Sequence, residues 1–300
     1  MKKLRFILII VTGIVLFTGC FRDDSEKLKE EEQRALTKYL ADHNITQSPT
    51  ASGLYFIPVT DTIGATPALD DVVEFEYTGR LVDGSVFGTT DSAVAKDNDM
   101  FYESIVYGPV RLILSYAIIG LQEGFQLMQE GEKARMILPS DIAYGANSIG
   151  IIQPYHTLIF DIHLQHVITD PDSYEQILIR NFLDSNNYDV EPTESGLYYI
   201  EQVPGDGTLI TNGKIVDFYY RGYFLDGREF DSNFDDNSPY RASVPNDFFI
   251  QGWNEGLQLM SKGSEGILIV PYTLAYGSTG TQIIGPYMTL VFDIKIVDVR

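Results

Sequence analysis

One series of short motifs occurs twice in this chain, and the duplication limits the folds open to it more than any other feature. The second copy reads Tyr220-Arg221-Gly222, Leu225-Asp226-Gly227-Arg228-Glu229-Phe230-Asp231, Phe249-Ile250-Gln251-Gly252-Trp253, Leu274-Ala275-Tyr276-Gly277, Ile283-Ile284 and Thr289-Leu290-Val291-Phe292-Asp293. The first reads Tyr77-Thr78-Gly79, Leu81-Val82-Asp83-Gly84-Ser85-Val86-Phe87, Ile118-Ile119-Gly120-Leu121, Ile142-Ala143-Tyr144-Gly145, Ile151-Ile152 and Thr157-Leu158-Ile159-Phe160-Asp161. Tyr220 and Phe230 follow Tyr77 and Phe87 by 143 residues, whereas Tyr276 and Phe292 follow Tyr144 and Phe160 by 132, so the first copy carries eleven extra residues between Phe87 and Gly120. A period this long is a duplicated domain, not a solenoid unit of roughly 20–50 residues. With 300 residues and 44% hydrophobic content, each copy can bury a core of its own.

Within each copy the patterns point to antiparallel strands around a short helix. Val73-Glu74-Phe75-Glu76-Tyr77 alternates strictly, and the Asp-Gly pairs at 83–84 and 226–227 are hairpin turns. A helix begins at Gly120 or Gly252: Leu121, Phe125 and Met128, and Trp253, Leu257 and Met260, make an inward stripe, with Gly131 or Gly263 as its C-cap. The closing strand alternates through Leu290, Phe292, Ile294 and Ile296. The fold class is therefore α+β. Each copy is preceded by an amphipathic helix, 26–43 and 172–186, the latter opening with a capping box of Asp172 and Glu175. Either these helices pack on their own domains or they form a homodimer or client surface.

The N-terminus differs in kind. Lys2, Lys3 and Arg5 precede an apolar run from Phe6 to Phe17, too short for a membrane span of about 20 residues. This is the layout of a secretory signal peptide, 1–19. Leu16-Phe17-Thr18-Gly19-Cys20 resembles a bacterial lipobox, which implies cleavage before Cys20, lipidation of that residue and anchoring outside the cytoplasm, with the outer membrane favoured. Phe21 to Ser25 would form a tether whose Asp23-Asp24 pair resembles the surface-export signal of some Gram-negative lipoproteins. The expected organisation is a lipidated tether and helix (20–48), a first domain (49–169), a linker helix (170–192) and a second domain (193–300). Cys20 is the only cysteine, so no intramolecular disulfide can form. The net charge of −21 argues against nucleic acid as a partner, since phosphate neutralisation needs clustered Lys and Arg.

Together, these motifs resemble the FKBP-type peptidyl-prolyl cis-trans isomerases, over nearly all of 193–300 and less completely over 50–168. The resemblance implies two domains, each a curved antiparallel sheet around one short helix, with a ligand pocket between sheet, helix and loops and no cofactor or metal. Carried onto the second copy, it gives Asp231, Tyr276 and Tyr220 as catalytic residues and Phe230, Tyr240, Phe249, Ile250, Trp253, Ile283, Ile284 and Phe292 as substrate-binding residues. Trp253 would be the floor, Tyr276 would donate to a substrate carbonyl, and Asp231 would orient Tyr220. Phe249 replaces a smaller aliphatic, Phe248 stands where an acidic residue is frequent, and the loop after Tyr276 is one residue short. The first copy keeps Tyr77, Phe87, Ile118, Tyr144, Ile151, Ile152 and Phe160, but Gly88 stands at the aspartate position and Leu121 at the tryptophan, so it is expected to be structural or merely proline-binding. The implied partners are proline-containing unfolded or exported polypeptides and macrolides of the tacrolimus and rapamycin type. The alternative is a non-catalytic holdase or proline-segment binding protein.

Two metal readings fail on spacing. His163 and His166 lie three apart on a strand and should face opposite sides. The run Asp231-Ser232-Asn233-Phe234-Asp235 begins like a calcium loop, but Asp236 takes its glycine position and Ala242 its final glutamate.

Overall fold

The structure, a computed structural model, describes residues 18–300. All but the last two residues of the expected signal peptide, and the side chain of Cys20, lie outside the described residues.

Each copy forms a six-stranded antiparallel sheet. The first is built from β1 (Tyr55–Pro58), β2 (Val72–Leu81), β3 (Val86–Thr89), β4 (Val110–Ile113), β5 (Lys133–Leu138) and β6 (Leu158–Ile168), in the order β1-β5-β6-β2-β3 with β4 also on β2. The second repeats this with β7 (Tyr198–Val203), β8 (Lys214–Phe224), β9 (Glu229–Ser232), β10 (Tyr240–Val244), β11 (Glu265–Val270) and β12 (Leu290–Val299), in the order β10-β8-β12-β11-β7 with β9 also on β8. Long β8 thus carries two partners end to end, Phe218 opposite Tyr240 and Gly222 opposite Asp231.

Both faces of each sheet are covered. One face takes the short helix, α3 (Ile119–Gln126) or α5 (Gln251–Gln258); the other takes the preceding long helix, α1 (Thr18–Asp42) or α4 (Pro171–Asn186). Strand β11 shows why its sequence is apolar without interruption: Leu268 and Val270 face α5, while Ile267 and Ile269 face Ile179 of α4. Burying each such side chain contributes about 1.5–3 kcal/mol. Helix α5 lies close to the sheet because Gly252 and Gly256 point at it; a Cβ there would come within 2.4 Å of Val270 and 2.3 Å of Leu268.

The long helices are docked by a duplicated carboxylate, Glu32 in α1 and Glu175 in α4. Glu32 accepts from the backbone N–H and hydroxyl of Ser140 (2.7 and 2.6 Å) and from Thr157 (2.9 Å). Glu175, 143 residues on, accepts from Tyr272 N–H at 2.7 Å and from the Thr289 hydroxyl. It is therefore not a capping-box residue: Asp170 caps α4 by accepting from Ser173 N–H. Burial pushes the Glu175 carboxyl above its ordinary value. Helix α4 packs as a layer on the second sheet through Ile179, as α1 packs on the first through Leu36 and Tyr39.

Other expectations are corrected too. Helix α1 runs from Thr18, so residues 21–25 are helical. The short helices are capped at Leu127 and Leu259; Gly131 and Gly263 sit in the following turns at φ +84° and +81°. A bulge in β6 puts His166 opposite Glu74 and His163 opposite Glu76, so both histidines share one face, and they approach separate carboxylates, Glu130 and Glu76. The first domain has a second helix, α2 (Ser92–Asp97). Its register shows that thirteen residues are added between β3 and β4, since Val110 stands 130 before Tyr240 at the matching position, and that two are lost between β4 and α3.

Candidate active site

In the second domain the chain folds so that three elements converge on Trp253. It opens α5, and its ring meets Phe292 of β12 (5.0 Å, 84°), Tyr220 and Phe218 of β8 (5.0 Å, 82° and 5.4 Å, 70°) and Phe249 (5.1 Å, 68°), all edge-to-face. The loop bearing Phe249 is held by a reciprocal pair: Asn246 N–H donates to Asn254 Oδ1 (2.8 Å) and Asn254 Nδ2 to Asn246 O (3.0 Å).

Above the indole is a cavity of about 220 Å³ lined by Tyr220, Phe230, Asp231, Tyr240, Phe248, Phe249, Ile250, Trp253, Tyr276 and Phe292. Drug-sized sites run to ~300–1,000 Å³, so this hollow suits a single small ring or side chain. Nine of the eleven residues expected here lie on its wall. Ile283 and Ile284 do not: Ile283 is 57% exposed on the loop after Tyr276, and Ile284 is buried in the core beneath. Phe248, 96% exposed on the rim, is an additional lining residue. An unbroken Phe248-Phe249-Ile250 run just before a helix was the signal for it.

Asp231 keeps its carboxylate in water despite its apolar neighbours. It is exposed on β9 and accepts from Tyr220 Oη at 2.6 Å. Burial first, and this hydrogen bond second, push the Tyr220 phenol above its ordinary value, so it stays protonated and donating. Asn233, which the calcium-loop pattern had drawn in, is buried and structural: its Oδ1 accepts from Tyr220 N–H at 2.6 Å and its Nδ2 donates to Phe218 O at 3.3 Å. Tyr276 is half-exposed at the mouth. The Trp253 indole N–H is buried with no acceptor among the described residues. Such a donor costs about 1–3 kcal/mol, and the first domain shows that the fold does not demand it, because Leu121 fills the same place.

The first-domain counterparts behave as core. Leu121, Ile152 and Phe160 are buried, with Tyr77, Phe87, Ile118 and Tyr144 packed against them; Ile151 is exposed. Val110, Ala117 and Gly88 stand where the second domain has Tyr240, Phe249 and Asp231. Tyr77 therefore has no carboxylate partner, and a Cβ at Gly88 would lie 3.0 Å from its hydroxyl. Burial raises its phenol, and neighbouring Tyr144 adds to the rise.

The family model for FKBP-type peptidyl-prolyl cis-trans isomerase matches residues 64–165 and 207–297. The chain belongs to that family. Among FKBP-type relatives, it is 29% identical over 235 residues to peptidyl-prolyl cis-trans isomerase FKBP10 of Homo sapiens, across 77% of this chain and 35% of that protein. It is 40% identical over 154 residues to the probable FKBP-type peptidyl-prolyl cis-trans isomerase FkpA of Neisseria meningitidis, covering 46% of this chain and 52% of that one. A solved structure of FkpA from Escherichia coli aligns with 44% of this chain and 60% of its own at 32% identity, with a TM-score of 0.39. The chain thus spans about a third of the length of the FKBP10 relatives. No helix of the described residues is long and apolar enough to cross a membrane.

Proposed function

We propose that this chain is a peptidyl-prolyl cis-trans isomerase whose chemistry resides in the second domain. The observation that carries the reading is the ring-walled hollow on Trp253, with the Tyr220–Asp231 pair and Tyr276 at its mouth. Rotation about an X–Pro bond meets a barrier of about 18–20 kcal/mol because it breaks amide resonance, and uncatalysed exchange takes roughly tens to hundreds of seconds. The planar amide is strongly dipolar and the twisted one is less so. A dry, weakly polar hollow therefore disfavours the ground state relative to the transition state, and neither nucleophile nor metal is needed.

The proline ring rests on Trp253 between Phe292 and Phe249. Tyr276 donates to a substrate carbonyl on one side of the bond, while Asp231, on the other, fixes the direction of the Tyr220 hydroxyl. The first domain, with leucine for tryptophan and glycine for aspartate, does not turn substrate over. Export, lipidation at Cys20 and membrane anchoring outside the cytoplasm would place this activity on proline-containing exported polypeptides, and macrolides of the tacrolimus type would compete for the same hollow. In a prolyl-peptide assay on the full chain, Asp231→Ala is expected to remove most of the activity. Retention of nearly all of it would move catalysis to the first domain, and a wild-type rate equal to background would refute the isomerase reading.

A further inference from the structure

The residues added to the first domain reach across to the second. After α2, which Asp91 caps, the chain runs to Val106, whose side chain packs against the second domain's core. Arg228, in the β8–β9 turn, donates Nη1 to the carbonyls of Tyr107 (3.3 Å) and Pro109 (3.1 Å), while Asp226 accepts from its Nε at 2.7 Å. Gly108 between them has φ +116°, and a Cβ there would come within 2.8 Å of Arg228 Cδ. The strap and the arginine meet at a point where a side chain would displace the guanidinium and would sit at a φ that favours glycine.

Three residues on, Arg111 makes a second tie. Its Nε donates to Glu74 at 2.6 Å and its Nη1 to the Tyr287 carbonyl at 2.6 Å, with only 6% of the side chain exposed. The second domain repeats the pair at the same register as Asp217 and Arg241, yet there the arginine is 60% exposed. A pair whose arginine faces solvent in one copy has become a clamp between domains in the other. What it clamps is the segment following Tyr276. Tyr287, at φ +56°, donates its N–H to Gly277 O at 3.0 Å and so closes the 277–287 loop that carries Ile283 and Ile284. The strap and that loop face each other across a cleft of about 250 Å³.

We propose that the first domain is a positioning element for the second domain's hollow, with Arg111 and the strap fixing the 277–287 loop and hence the setting of Tyr276 at the mouth. This would explain why a copy with a filled hollow carries an insertion directed at its neighbour. The turnover part of the idea rests on the isomerase reading, whereas its binding part does not.

The test uses full-length variants. Glu74→Gln/Arg111→Gln removes the clamp without stranding a buried charge, and Gly108→Val forces the strap away from Arg228. Binding of a proline tetrapeptide is followed by Trp253 fluorescence, and amide exchange is read across 277–287. Both variants should weaken peptide binding at least threefold and speed exchange in that loop while far-ultraviolet circular dichroism stays native. In turnover, KM should rise by a similar factor with kcat within twofold. Unchanged peptide affinity in either folded variant overturns the proposal. A wild-type chain that binds in a clamp-dependent way without turning peptide over supports the clamp and sinks the isomerase reading instead. Should one variant fail to fold, the other decides.

Discussion

Replacing Trp253 by leucine puts into the second domain what the first already has at Leu121, so the fold accommodates the change while the floor is lost. Four edge-to-face ring contacts disappear; at ~0.5–1.5 kcal/mol each they amount to about 2–6 kcal/mol. Removing an indole donor with no acceptor returns about 1–3 kcal/mol. The leucine's own contacts recover part of the remainder, leaving a net destabilisation of about 1–3 kcal/mol, within the range of ordinary core substitutions. Catalysis should suffer more than folding. The proline ring loses its flat support, and a tenfold to hundredfold fall in kcat/KM corresponds to only about 1.4–2.7 kcal/mol of lost transition-state stabilisation. Prolyl-peptide kinetics measure the second effect. Calorimetry measures the first, as a downward shift of the second domain's transition while the first domain's stays in place. Wild-type kcat/KM in a folded Trp253→Leu protein would show that the ring is core and nothing more.

Tyr220→Phe should lower kcat/KM threefold to tenfold with little change in stability, because its hydrogen bond to Asp231 lies at an exposed mouth; an identical loss with Asp231→Asn would assign the effect to that bond. The pH dependence of stability should run in opposite directions in two windows. Glu175 and Asp293 are raised by burial. As pH climbs above about 4 the unfolded chain ionises first, so their contribution is full at low pH and is lost as pH passes their raised folded values. Asp217 is held down by Arg241 and then Arg300; its contribution is present above about 4 and is lost as pH falls through its lowered value. Glu175→Gln should flatten the slope above that point and Asp217→Asn the slope below it, as read by urea unfolding at a series of pH values. Cys20→Ser should move the protein from the membrane fraction to the soluble fraction, and an intact mass showing no lipid on the wild type would remove the anchor from the account.

The repeat offsets, the alternation along the strands and the apolar spacing marked strands and a short helix in each copy, whereas the lining of the hollow came from the resemblance to the isomerase family, whose motifs sit at matching positions in the second copy. What escaped was carried by contacts distant in sequence. Glu175 reads locally as a capping residue because it stands three after Asp172, and only the fold reveals Tyr272 and Thr289 as its partners. The same position in the first copy, Glu32, was the available signal: a carboxylate preserved at the 143-residue offset within an otherwise variable helix. Histidines three apart suggested opposite faces because a bulge leaves no mark in the pattern. The apolar residues around Asp231 say nothing of its exposure, which follows from the place of β9 as an edge strand at the mouth. Nothing in the sequence marks Arg111, because the Tyr287 carbonyl that it reaches lies 176 residues away.

The most direct check of the central idea is the rate at which a proline in a short, unlabelled peptide interconverts between cis and trans, followed by magnetisation-transfer nuclear magnetic resonance with the full chain present in catalytic amount. The account requires exchange well above the spontaneous rate, falling at least tenfold when Trp253→Leu replaces the wild type. An exchange rate equal to that of the peptide alone, in a folded wild-type protein, would contradict it.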